Sequence, residues 1–227
     1  MIFNKKIFLY LFIVIAVLSS CKKDFYDLQP YDALPVEDAI ETDGDLNVMV
    51  NGMYSTLRSV NLYGRTLPVK GDLAADNVYL KGNNSGRYLE FRDYNQTAAN
   101  TNALGVWNSA YIAIKNANIV IHAELEASPI VDQLKGEAYA VRALMHFELV
   151  RNFAKPYTVD ENALGVPIVT SFEQDARPAR NAVSEVYSQI ISDLNQAFAL
   201  MNFNQGETVE ITSTGSTRLM TSEYFTP

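Results

Sequence analysis

The hydrophobic and polar positions of this chain alternate between strongly helical stretches and long polar ones. From Asp45, read as a capping residue, Leu46, Met49, Val50, Met53 and Leu57 recur at i, i+3, i+4, i+7 and i+11, which predicts a helix over 45–58. Periodicity is then lost from Val60 to Leu104, where Gly, Asn, Asp and Tyr dominate. A stretch that long inside a compact domain is either functional or hides short strands, and both options stand at this point. The helical pattern returns at Trp107: Ala110, Tyr111, Ile114, Ala117, Asn118 and Ile121 share its face, and the helix is expected to end near Glu126, before Pro129. The next runs from about Asp132 to Phe153 with two apolar stripes, so it is buried on two sides, and the short link makes 107–153 an antiparallel hairpin. Gly165-Val-Pro-Ile-Val169 reads as strand-like, and a last helix fits 182–202. If helices come in hairpins, this last one lacks a partner, because the Ser/Thr-rich tail 204–227 has no apolar stripe. The tail is expected to be truncated or divergent.

The first twenty residues follow a different pattern. Lys5 and Lys6 precede an apolar run from Ile7 to Val17, then Leu18-Ser-Ser-Cys21, then Lys22 and Lys23. A charged start, a short apolar run and small residues before the break describe a secretory signal over 1–20; a spanning helix needs about 20 apolar residues. Residues 21–44, with Pro30, Pro35 and Gly44 among many acids, read as an extended arm. The folded body is then 45–203.

Composition narrows the partners. The 227 residues carry 18 Lys+Arg against 26 Asp+Glu, a formal charge of −8. Loss of 1–20 would remove two lysines and no acid, giving −10. No cationic surface is available for a phosphate backbone, which argues against nucleic acid. The single cysteine, Cys21, makes no intrachain disulfide.

Five segments in order carry a family resemblance: Cys21–Pro30, Val106–Asn118, Gly136–Phe153, Leu164-Gly-Val-Pro-Ile-Val-Thr170 and Arg180–Leu194. The chain resembles the SusD/RagB family of surface-exposed outer-membrane lipoproteins of Bacteroidota that bind glycans, and Leu-Ser-Ser-Cys21 resembles a bacterial lipobox. The resemblance implies a mostly α fold of degenerate tetratricopeptide-like helix pairs with long loop insertions and an incomplete C-terminal half. It implies lipid on Cys21, an oligosaccharide ligand, and a SusC-type TonB-dependent channel as partner, at the cell outer membrane. Two or more acyl chains hold a protein stably on a bilayer.

A sugar site needs aromatic faces beside hydrogen-bonding groups. The 60–104 stretch supplies both, and the candidates are Asp76, Asn77 and Arg87 for hydrogen bonds with Tyr79 and Tyr88 as stacking platforms. The alternative gives Tyr79 and Tyr88 to packing and Asp76 to a turn. Trp107, on the helical stripe, reads as a packing residue, and Arg142 and Arg151, in a strongly apolar helix, as residues that pair with acids or extend their charged ends to water. His122 and His146 lack the spacing that puts two imidazoles around zinc, and no nucleophile elbow or phosphate loop is present. A non-enzymatic, cofactor-free binding protein is expected, with a channel scaffold and a surface glycosidase as rivals.

Overall fold

The computed structural model describes residues 40–97, 99–171, 176–201, 211–213 and 216–218. The signal segment 1–20, Cys21 and the arm as far as 39 lie outside the described residues. The protein is mostly α, with six helices and one short ladder among the described residues.

Helix α1 spans Asp43–Leu57. Its N-cap is Thr42 and not Asp45: the Thr42 hydroxyl accepts from the Asp45 N–H at 3.2 Å, while the Asp45 carboxylate accepts from the Thr42 N–H at 3.0 Å. These reciprocal bonds satisfy donors that the first turn leaves open. The Thr42 hydroxyl also donates to Asp45 and holds its carboxyl below the usual range. Leu46, Val50 and Met53 form the buried side.

Among its described residues the long polar stretch holds helices, not strands. Helix α2 spans Thr66–Ala74 and the single turn α3 spans Leu89–Arg92. Leu73, Tyr88 and Phe91 close a small core of their own between them. The chain enters α2 through a tight return at Gly64, where an added Cβ would lie 2.7 Å from the Ser59 carbonyl oxygen and collide with that of Arg58.

Helix α4 spans Thr101–His122, beginning before Trp107 and ending short of Glu126. The Asn100 side chain starts it by accepting from the N–H groups of Asn102 and Ala103 at 2.8 and 3.0 Å. Helix α5 spans Pro129–Phe153 with Ser128 as N-cap, and Pro129 sits where a missing N–H costs nothing. Helix α6 spans Val183–Leu200. In the tail, β1 (Ile211–Ser213) pairs antiparallel with β2 (Ser216–Arg218), Thr212 opposite Thr217.

Helix α5 packs against both α4 and α6, which accounts for its two apolar stripes, and α1 packs on α4 and α5. The last helix thus packs back on the helix before it, and among the described residues no helix follows it. Gly136 permits the close approach of α5 to α6: a Cβ there would meet Met201 Cγ at 2.7 Å and the Ala197 carbonyl oxygen at 3.2 Å. The main core contains Leu46, Met53, Leu62, Ile114, Leu134, Met145 and Leu149, each fully buried and worth roughly 1.5–3 kcal/mol. Among the described residues no helix is long and apolar enough to cross a membrane.

Candidate functional site

Trp107, Tyr111 and Lys115 lie at i, i+4 and i+8, so they follow one side of α4. Facing them is the segment 165–171, which does not form the expected strand; the nearest pairing is an isolated bridge between Leu164 and Ala182. Beside that bridge the Gly165 N–H and the Val166 carbonyl bond to the Asn181 backbone at 2.7 and 3.3 Å, and side chains take up the backbone groups that follow. The Tyr111 hydroxyl donates to the Pro167 carbonyl at 2.9 Å, and Asn118 Nδ2 donates to that of Val169 at 3.1 Å. His122 Nε2 lies 2.8 Å from the Thr170 carbonyl oxygen. The Ile168 N–H donates to Asn181 Oδ1 at 3.0 Å. An extended segment with its polar groups met in this way has no need of a neighbouring strand.

Two buried side chains of α5 complete this anchoring. The His146 ring accepts from the Val169 N–H through Nε2 at 3.3 Å and lies 3.0 Å from the Arg142 carbonyl oxygen through Nδ1. Those partners require the neutral ring with its proton on Nδ1. Burial pushes its pKa down to about 4. Arg142 pairs with Asp193 of α6 and also reaches Asn118 and the Thr170 carbonyl, at 2.8 and 3.3 Å. Arg151 pairs with Glu148 at 2.6 Å. Both arginines therefore partner acids, the first of the two roles expected of them.

The segment and α4 enclose a cleft of about 510 Å³, bordered by Trp107, Tyr111, Lys115, Pro167 and Thr170. A second cleft, of about 430 Å³, is bordered by Lys70, Gln96, Asn100, Trp107, Asn152 and Phe153. The half-buried Trp107 belongs to both. It packs, with ring centroids 5.0 Å from Tyr111 and 5.1 Å edge-on from Phe153, and it also presents a wall to each cleft.

The residues chosen from the sequence occupy the connection between α2 and α3, and none of the five borders either cleft. Tyr79 is 83% exposed. Asp76 is exposed with φ 56°, in the left-handed region. Asn77 turns back onto Asp72, its N–H donating to the Asp72 carbonyl at 2.9 Å. Arg87 is exposed, with its N–H donating to Asn84 Oδ1 at 3.1 Å. Tyr88 departs from the expectation. It is 8% exposed, its ring lies 6.0 Å from that of Phe91, and the Arg65 guanidinium stands 5.7 Å over it. A ring so enclosed offers no face to a sugar, and its backbone, φ 61°, is strained for a bulky side chain.

Sequence reasoning missed Lys70, Gln96 and Asn100 in the polar stretch and the second role of Trp107. The spacing of Trp107 with Tyr111 and Lys115 was the available sign of a lined helix face. Among the described residues, no group of three or more His, Cys, Asp or Glu is placed to hold a metal ion.

Comparison with known proteins gives a consistent set. The SusD-like family model described as "Starch-binding associating with outer membrane" matches residues 24–217. SusD-like protein P2 of Formosa agariphila is 31% identical over 176 residues, 74% of this chain and 33% of that protein. A putative sugar binding protein from Bacteroides vulgatus matches in structure with a TM-score of 0.61 at 30% identity, over 75% of this chain and 40% of that one. A SusD superfamily protein from Bacteroides thetaiotaomicron gives a TM-score of 0.64 at 27% identity, over 74% and 39%. The chain spans about a third of the length of the curated relatives it matches.

Proposed function

This chain belongs to the SusD-like family, and on that premise we propose that it captures oligosaccharide at the outer membrane and passes it to a SusC-type TonB-dependent channel. The observation that carries the reading is the place of Trp107 between two clefts whose other walls offer amides, hydroxyls and an ammonium. An indole accepts the C–H face of a sugar ring, and amides and hydroxyls match its hydroxyl groups. Tyr79, with Asp76, Asn77 and Arg87 on the same connection, supplies an exposed outer contact. Tyr88 supports that connection from within. Lipid on Cys21 would hold the acidic body at the membrane surface. The work done is reversible binding and hand-off, with no bond cleaved.

Calorimetric titration of the protein against a panel of neutral and acidic oligosaccharides tests this, with product analysis of each mixture. Heat without product supports capture. Accumulating product would replace it with a glycosidase, and silence across the panel would leave a scaffold for the channel.

A further inference from the structure

We propose that the cleft between Lys70 and Trp107 selects an acidic sugar, one bearing a carboxylate or a sulfate ester that meets the Lys70 ammonium while the ring lies along the indole. This deepens the oligosaccharide reading and rests on it.

Lys70 is held by contacts that leave its charge directed at the cleft. Its ammonium donates to Asn152 Oδ1 at 2.7 Å and lies 5.5 Å from the Phe153 ring and 5.7 Å from that of Phe91. Asn152 has its own orientation set, because its Nδ2 donates to the Glu148 carbonyl at 2.7 Å; only the acceptor end is left for the lysine. One of three N–H donors is thus used, and the ammonium forms no ion pair among the described residues.

The nearby acid is engaged elsewhere. Glu148 accepts from the Tyr63 hydroxyl at 3.0 Å, from Arg151 Nη2 at 2.6 Å and from Asn152 Nδ2 at 3.3 Å. Glu90 is engaged with Asn102 and with Asn100, which borders the cleft. Burial lowers the Lys70 pKa, and Glu148 offsets that in part. A half-buried cation in a chain of formal charge −8 is therefore left without a direct counter-charge, beside an aromatic wall and in a cleft of about 430 Å³. That volume falls within the usual range for small-ligand sites. An anionic substituent supplies the missing partner and makes a charge-assisted bond that a neutral hydroxyl does not.

The test is calorimetric titration with galacturonate and glucuronate tetrasaccharides, their 6-sulfated neutral analogues, and the unmodified galactose and glucose tetrasaccharides. It is run on the wild-type protein and on Lys70→Met, which keeps an apolar stem against the two rings and removes the charge. At least one acidic ligand is expected to bind about tenfold more tightly than its neutral counterpart, a preference lost in Lys70→Met and in about 0.5 M NaCl. Which acidic series responds separates carboxylate from sulfate. If Lys70→Met does not fold, Lys70→Gln and the salt series on the wild type carry the same decision. Neutral ligands binding as tightly as acidic ones, or a preference that survives loss of Lys70, would overturn the inference and leave the oligosaccharide reading standing. Silence toward every ligand, neutral and acidic, would overturn both.

Discussion

Arg142 and Asp193 meet as a two-pronged ion pair, Nε to Oδ2 at 2.8 Å and Nη2 to Oδ1 at 2.7 Å, with side chains only 5% and 2% exposed. The remaining guanidinium nitrogen reaches Asn118 of α4 and the Thr170 carbonyl, so three helices and the segment that walls the larger cleft converge on one side chain. Removing one partner leaves a buried charge uncompensated, and Asp193→Ala is expected to cost about 3–5 kcal/mol. Replacing both, as Arg142→Met with Asp193→Leu, should cost less than the single change. Urea unfolding midpoints check both, and a single-site loss below about 1 kcal/mol would contradict the buried-pair account.

His146 makes stability depend on pH. Its folded pKa is about 4 against an ordinary 6.5, because burial disfavours the charged ring. Between these values the unfolded chain binds a proton that the folded one refuses. The stabilisation is present above pH 6.5 and is lost as pH falls toward 4, by roughly 3 kcal/mol in all. Unfolding free energies across that range should slope downward in the wild type and lie flatter in His146→Gln. Equal slopes would remove His146 as the cause.

Tyr79 and Tyr88 should separate binding from stability. Tyr79 is 83% exposed, so Tyr79→Ala is expected to change stability by less than about 0.5 kcal/mol while weakening oligosaccharide binding. Tyr88→Ala should cost roughly 3 kcal/mol by opening a cavity beside Leu73 and Phe91. The Tyr88 hydroxyl is buried without a hydrogen-bond partner among the described residues, so Tyr88→Phe should be neutral or stabilising. Thermal melts beside titrations read both effects, and a stability loss in Tyr88→Phe would show that the hydroxyl is satisfied.

Cys21→Ala should release the protein from membranes. Fractionation of cells expressing each form reads this directly, and retention of the variant in the outer-membrane fraction would rule out lipid on Cys21 as the anchor.

The four longer helices α1, α4, α5 and α6 were legible because each buries a stripe against its neighbours, and a buried stripe must recur at the helical period. Helix α2 was not: Pro68 and Gly71 interrupt it, and Thr66, Leu67 and Leu73 are its buried residues. Helix α3 is a single turn, too short to show a period. The apolar run at 165–169 has the composition of a strand, but a strand exists only with a paired neighbour. Here backbone pairing stops at Gly165 and Val166, and from Pro167 to Val169 Tyr111, Asn118, His146 and Asn181 take up backbone groups that further pairing would have used.

By itself, then, the amino-acid order determined the helical class, the family to which the chain belongs, and the Leu-Ser-Ser-Cys21 pattern that points to a lipid anchor. Each is written in local spacing or residue type. Which tyrosine of the polar stretch faces solvent was decided by closure of Leu73 and Phe91 around Tyr88. That Trp107 borders a cleft as well as a core was decided by the meeting of Lys70, Asn100 and Asn152, from three different parts of the chain, around one indole. Burial and convergence are properties of folded neighbours, and no local pattern encodes who those neighbours are.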